Sequence, residues 1–371
     1  MKKINIHFKI VTTVCCAYCL FISGLNAQTN FLPSDIAGLK LWLTGDSVSI
    51  TTAPFIDKCF DLSADANHAI QSNSAEKPSS GKSVLNGHQS VHFDGTNDIL
   101  NFNMISDVRT VFWVVKEDSA ATNTNRPLLG NSTNYNFYRG DNQEIWNSSY
   151  TNSFILSGAT RLNITAIDGA TKILPQQYSI LSLVTTGNVT ADNFSKDRAN
   201  ANRLWSGDLM ELIIYNQALS ASQVKDVENY LHYKYAPPVQ LGADQVVCSL
   251  PVTLKAKKSH FIDYKWQDNS TADSLVVNAS GTYYVTTKDI FNITSTDTVI
   301  ITKDTTAYSV KLGNDTAICN GQSLVLYAGP PHLSYVWSTG STENTITVNA
   351  SGDYAVSVTD CLGNVSKDTI N

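Results

Sequence analysis

From Leu241 onward the chain is written twice in one register. Leu241-Gly242 recurs as Leu312-Gly313, Cys248 as Cys319, Trp266 as Trp337, Asn278-Ala279-Ser280-Gly281 as Asn349-Ala350-Ser351-Gly352, and Tyr283 as Tyr354, each 71 residues on. Five landmarks in one register are the mark of duplicated modules. This half therefore cannot be a single continuous domain. Each unit carries short alternating strands, a Trp early and a Gly-x-Tyr late. The first unit spans 239–309 and the second 310–371. The counterpart of Thr298-Val299-Ile300-Ile301 stops at Thr369-Ile370-Asn371, so the last strand reads as cut short, and the chain as a piece of a longer product.

Upstream of the stiff Pro237-Pro238 joint the style changes. Leu209 to Tyr215 is a short apolar run with β-branched and aromatic residues, which predicts a buried strand. Ser220 with Gln223 is a capping box, each side chain satisfying a backbone N–H of the first turn. Val224, Val227 and Leu231 fall on one helical stripe. The helix must stop by Tyr235, because Pro cannot continue it.

At the start, Lys2, Lys3 and Lys9 flank an apolar run from Ile10 to Ile22, followed by Ser23-Gly24-Leu25-Asn26-Ala27. This is the pattern of a secretory signal peptide over 1–27, and the run is too short for a membrane span. No other stretch is apolar enough to cross, so the mature chain is expected to have no span and to be secreted or displayed at the cell surface. The net charge of −6 becomes more acidic once those lysines are removed, which argues against nucleic acid as a partner.

Between these ends the strands are short and regularly spaced. Leu39-Lys40-Leu41-Trp42-Leu43 alternates, with the leucines on one face. Val91-His92-Phe93, Thr110 to Val115 and Ser179 to Val184 read as further strands. The pattern predicts an antiparallel two-sheet sandwich closed by one helix. The blocks LKLWL, FDLSADANHA, SVHFDGTNDIL, TVFWVVK and the Trp205–Tyr235 stretch resemble, in order and spacing, the laminin-G-like, concanavalin A-like jelly-roll domains of secreted bacterial proteins. The resemblance covers 30–236. It departs from the family at Ala64 and Ala66, where glycine is usual. The duplicated units resemble the Ig-like or PKD-like repeats of long secreted proteins in Gram-negative bacteria. The resulting fold class is all-β: a jelly roll with one C-terminal helix, then two tandem Ig-like sandwiches.

Four cysteines lie beyond the signal peptide: Cys59, Cys248, Cys319 and Cys361. Cys361 aligns with Ile290, so only the second repeat has two, which predicts a Cys319–Cys361 disulfide. Cys59 and Cys248 then are either two buried thiols or an inter-domain bond.

The sequence carries no common catalytic signature. Glycoside hydrolysis generally needs a carboxylate pair. The chain has six glutamates, Glu76, Glu117, Glu144, Glu211, Glu228 and Glu343, and none starts an E-x-D-x-x-E motif. There is no G-x-S-x-G, H-E-x-x-H or P-loop. The loop acids Asp61, Asp65, Asp94, Asp98 and Asp208 are the candidates for a structural Ca²⁺, which jelly-roll relatives often hold in such loops. The bland alternative is that they make Asx turns. A sugar-binding surface would need aromatics and amides. Tyr135, Phe137, Tyr138, Trp146 and Tyr150, interleaved with asparagines, have that composition, although they could equally be core residues.

The reading is a non-catalytic binding or adhesion protein whose jelly roll takes a glycan or an extracellular protein while the repeats act as a spacer. The alternatives are a concanavalin A-like glycosidase with an unrecognised acid pair, and a purely structural piece of a larger surface protein.

Overall fold

The computed structural model describes residues 31–119, 126–134, 136–139, 143–196, 198 and 203–371. The stretch 1–27, read above as a signal peptide, and Tyr135 lie outside them. The chain is all-β and antiparallel in plan. No helix among the described residues is long and apolar enough to cross a membrane.

The first sandwich is one curled sheet of β1 (Leu39–Thr44), β2 (Val48–Ser49), β3 (Lys58–Cys59), β4 (Ala69–Ile70), β5 (Ser79–Leu85), β6 (His88–Asp94), β7 (Leu100–Glu117), β8 (Ala159–Leu162), β9 (Thr165–Ile167), β10 (Ser179–Phe194) and β11 (Ser206–Tyr215). β11 is its hub. One edge pairs with β7; the other pairs first with β6 and then with β1. β7 and β10 are long strands of 18 and 16 residues. Register shifts after Val184 interrupt their ladder, and such irregularities bend a strand pair. Inside the curl lie Leu41, Phe93, Trp113, Leu183, Phe194, Trp205 and Leu212.

The outer face of β11 is apolar too, and a helix covers it. A one-turn helix α1 (Ser153–Leu156) comes earlier; the covering helix is α2 (Ala221–Tyr235). The capping box forms as its residues require: Ser220 Oγ accepts from Gln223 N at 3.3 Å, and Gln223 Oε1 accepts from Ser220 N at 3.0 Å. Val224, Val227, Leu231 and Tyr235 pack onto Phe112, Val114, Met210 and Ile213. Each such burial contributes about 1.5–3 kcal/mol over leaving the side chain in water.

Two alternations are broken by bulges. The β11 register slips between Leu209 and Glu211. Leu209 therefore faces the inner core, while Met210 and Ile213 face the helix, and Glu211 meets the helix with them. A strict period of two puts Glu211 with Leu209; the extra residue moves it to the other face. The same happens at Lys40, so Leu39 packs with Trp42 rather than with Leu41 and Leu43.

The first repeat contains β12 (Gln245–Val247), β13 (Val252–Lys255), β14 (Phe261–Trp266), β15 (Ser274–Val277), β16 (Gly281–Asp289) and β17 (Thr294–Lys303), paired as β12-β17-β16-β14 and β13-β15. The second contains β18 (Leu324–Tyr327), β19 (Ser334–Trp337), β20 (Thr345–Val348), β21 (Tyr354–Thr359) and β22 (Val365–Ile370), paired as β19-β21-β22 and β18-β20. These are small Ig-like sandwiches. The duplication extends to single hydrogen bonds. Trp266 Nε1 donates to Ala272 O and Trp337 Nε1 to Glu343 O, both at 2.9 Å. Leu241 N reaches Asp297 and Leu312 N reaches Asp368, both at 2.6 Å. Between landmarks the register does drift. Buried Leu254 and Ala256 correspond to Leu326 and Ala328, one residue further on than the 71-residue spacing.

The disulfide joins Cys248 to Cys361, not Cys319 to Cys361. The reason is the direction of each module. Cys248 follows β12, which runs parallel to β17, and Asp304 just after β17 donates its N–H to Val247 O at 2.9 Å. Cys248 therefore sits at the exit end of the first repeat. Cys361 sits in the β21–β22 turn, the counterpart of the β16–β17 turn at the entrance end. Cys319 is the equivalent of Cys248, so it lies at the far end of its own module, exposed and free. Of the two alternatives for Cys59 and Cys248, neither holds whole: Cys59 is a buried free thiol, which burial pushes up to about 12, while Cys248 is in the disulfide.

The entrance turns also dock the modules. In the first repeat, Asp289 Oδ1 accepts from Phe291 N and Ile293 N. Phe291 is fully buried in the cluster under α2. His260 Nε2 lies 3.0 Å from Pro237 O at the joint itself. In the second repeat, Asp360 makes the same turn with Leu362 N and Asn364 N, and Cys361 within it bonds to the module before.

Candidate functional site

The aromatic stretch separates into core and surface. Phe137 and Trp146 pack with Trp113 at ring distances of 6.1–6.2 Å, and both are buried. Trp146 is anchored by its Nε1–H to Thr160 Oγ1 at 2.9 Å. Neither can stack on a ligand. Tyr138 is mostly covered, with Tyr150 edge-on at 5.5 Å and the Arg203 guanidinium 5.5 Å from its ring. Tyr150 is 61% exposed. An Asx turn raises it: Asn147 Oδ1 accepts from Ser149 N and Tyr150 N at 2.9 and 3.0 Å. The amides nearby serve the fold. Asn131 Oδ1 accepts from Thr133 and Asn134, and Asn136 Nδ2 donates to Thr190. Of the described aromatics proposed for stacking, Tyr150 is the exposed one, backed by Tyr138 and Arg203.

A separate feature is an open polar groove of about 460 Å³ lined by Lys40, Asp65, Asn67, Asn103, Met104 and Asp107. Met104 links it to the Asn-rich loop, since Asn131 Nδ2 lies 3.1 Å from Met104 Sδ. Its volume falls in the range of small-molecule sites.

The five loop aspartates fall into separate groups, Asp61 with Asp65, Asp94 with Asp98, and Asp208 on β11, and donors face oxygens of each. Asp61 is a hub for its own loop: Oδ1 takes Trp42 N at 2.7 Å and Ser63 N at 2.9 Å, and Oδ2 takes Ser63 Oγ and Asn67 N. This hub holds Ala66 at φ +50°, the left-handed conformation that glycine would supply. Asp65 pairs with Lys40 at 3.1 Å. Asp94 Oδ1 caps Thr96 N and Asn97 N, and Asp98 Oδ2 caps Asp94 N. Burial pushes Asp98 up to about 6. Asp208 is gripped by Ser83 Oγ at 2.7 Å, Ser90 Oγ at 3.2 Å and His92 Nδ1 at 3.1 Å. Burial by itself would raise its pKa; the bonds from His92 and Ser83 outweigh that and hold it below the usual range. Each of the five thus accepts at least one N–H or O–H donor, the use that turns, caps and strand ties make of such carboxylates.

The buried glutamates are likewise engaged. Glu211 receives Trp42 Nε1–H at 2.7 Å, Lys234 Nζ at 2.6 Å and Tyr235 OH at 2.7 Å. Glu228 of α2 receives Arg161 at 2.8 Å and Ser182 Oγ at 2.6 Å. Glu117 pairs with Arg139. These are ties between elements rather than an acid pair across an open cleft.

The residues that sequence reasoning missed lie at the two junctions. His232 Nε2 meets Asp289 Oδ2 at 2.6 Å, and His332 Nε2 meets Asp304 Oδ2 at 2.6 Å. One clue was available. Cys361 replaces Ile290 at a position that the first repeat uses to face its predecessor.

No protein-family model matches the chain, and no curated protein sequence matches it. Among solved structures, it is similar to the SGBP-B of the Bacteroides ovatus mixed-linkage glucan utilization locus, in complex with a mixed-linkage heptasaccharide. The identity is 12% and the TM-score 0.14, over 37% of this chain and 43% of that one. It is similar to the human desmocollin-1 ectodomain at 11% identity and TM-score 0.15, over 52% and 46% of the two chains. The N-terminal four Ig domains of Dscam1 isoform 4.4 match at 12% identity and TM-score 0.16, over 90% and 92%. Scores at this level carry no inference about function.

Proposed function

We propose that this chain is an exported, non-catalytic binding protein. Its first sandwich, a laminin-G-like jelly roll over 30–236, takes a carbohydrate or an extracellular protein. Its two Ig-like repeats hold that sandwich at a fixed distance from whatever follows. The carrying observation is the end-to-end mounting. Each repeat uses the same Asp-capped turn to dock on the module before it, through buried Phe291 at the first junction and Cys361 at the second. A stiff mount of this kind suits presentation of a head group. The ligand surface we propose is the polar groove beside Met104 together with the exposed aromatic face of Tyr150.

A glycan array and an extracellular-protein panel, probed with the mature chain with and without Ca²⁺, test this. Retained ligand that is lost in Tyr150→Ala or Asn103→Ala supports the reading. Turnover of a polysaccharide by the same sample, or no ligand on either panel, would sink it.

A further inference from the structure

Four groups with metal-binding chemistry converge at the junction of the two repeats. The ligand atoms of Asp304, His332 and Cys361 all lie within 4.8 Å of one another. The fourth group is Cys248, whose sulfur is bonded to that of Cys361 and lies 2.9 Å from His332 O. All four are partly buried. Asp304 is held for the role: its Oδ1 accepts from Thr306 N at 2.8 Å, which leaves Oδ2 aimed at His332 Nε2. Two sulfurs, an imidazole nitrogen and a carboxylate oxygen are the donor set of a tetrahedral zinc site. In such a site neighbouring ligand atoms sit about 3.2–3.8 Å apart. The cluster therefore needs shifts of about an ångström, and the carboxylate already has the supporting hydrogen bond that orients metal ligands.

We propose that Cys248, Cys361, His332 and Asp304 bind one zinc ion when the disulfide is reduced. The junction then has two alternative fastenings at the same place. A small dithiol supplies two electrons and two protons, cleaves the S–S bond, and leaves as its own cyclic disulfide. Zn²⁺ then displaces the two thiol protons and forms two Zn–S bonds. It also enters between His332 Nε2 and Asp304 Oδ2, which become ligands while the neutral imidazole keeps its one ring proton on Nδ1. A small-molecule disulfide reverses this by thiol–disulfide exchange: it takes the two electrons and leaves as two thiols, the Cys248–Cys361 bond re-forms and Zn²⁺ is released. Both states tie Cys248 of the first repeat to Cys361 of the second, so the two modules stay linked in oxidising and in reducing surroundings.

The test uses the mature chain, reduced with a dithiol that is then removed anaerobically. Co²⁺ serves as the spectroscopic probe and Zn²⁺ as its competitor. The expected result is one Co²⁺ per chain, with a thiolate-to-cobalt charge-transfer band and the strong visible bands of tetrahedral geometry, all erased by Zn²⁺. The oxidised chain should show none of this. Cys319→Ser should leave the spectrum unchanged. His332→Ala should weaken binding at least about tenfold, by analogy with the loss seen when a supporting group alone is removed. It changes only a partly exposed loop residue, so it serves even if Cys361→Ser fails to fold. The proposal is overturned if the reduced chain shows no thiolate band, if the band survives Cys361→Ser, or if Cys319→Ser abolishes it.

Discussion

His232 of the capping helix and Asp289 of the first repeat meet across the module boundary, with Nε2 and Oδ2 2.6 Å apart and both side chains buried. Asp289 also organises its own turn through Phe291 N and Ile293 N. One carboxylate thus shapes the turn and fixes it to its neighbour. Removing it leaves three partners unmet, His232 Nε2 and Phe291 N buried and Ile293 N partly buried. Asp289→Ala is expected to cost about 3–5 kcal/mol of stability at this boundary. His232→Ala, which leaves the turn intact, is expected to cost less. Urea unfolding checks the magnitudes, and small-angle scattering should show a longer, looser particle for Asp289→Ala alone.

The disulfide makes a count. The unfolded mature chain should present two reactive thiols, Cys59 and Cys319, before reduction and four after it. Peptide mapping should recover Cys248 linked to Cys361. With a sequence separation of 113, the chain-entropy model gives the cross-link roughly 4–5 kcal/mol. A Cys319–Cys361 peptide would refute the assignment.

Glu211 ties three elements together through Trp42, Lys234 and Tyr235. Its oxygens are what let the helix carry Lys234 and the Tyr235 hydroxyl against the sheet. Glu211→Ala strands those donors and is expected to lower stability by about 3–5 kcal/mol. Glu211→Gln keeps the size and some of the bonds and is expected to lose about half of that. Denaturant midpoints followed by Trp fluorescence measure both.

Asp98 carries the opposite sign. Burial first, then the neighbouring Asp94 charge, pushes its carboxyl up to about 6, against the bond from Asp94 N. The folded chain therefore holds this proton to higher pH than the unfolded chain does. Its contribution is full below about pH 4 and is lost as pH rises to about 6. Asp98→Asn removes the penalty and keeps an oxygen for Asp94 N. After allowance for solvent screening, it should stabilise by roughly 1–2 kcal/mol above pH 6 and do nothing near pH 4. Stability profiles of the two proteins across pH 4–8 give the comparison.

Ala66 holds φ +50° in an exposed loop. A side chain in that region costs roughly 1–2 kcal/mol, and glycine loses part of this advantage to its freer unfolded state. Ala66→Gly is expected to stabilise by about 0.5–1 kcal/mol, read as a higher melting temperature.

Local pattern alone determined the apolar run that becomes β11, the capped helix that follows it, the end of that helix before Pro237-Pro238 and the 71-residue recurrence. Each depends on neighbours within a few residues or on simple recurrence. Tertiary structure decided the rest. The bulge after Leu209 turned Glu211 toward the helix, because one extra residue reverses a face and no short motif announces it. Burial took Phe137 and Trp146 into the core and left Tyr150 outside, although all three have the same composition around them. The orientation of each repeat put Cys319 and Cys361 at opposite ends of one module and brought Cys248 to Cys361 instead. Pairing across a boundary depends on which ends of two modules meet, and that is a property of their packing, not of either sequence unit.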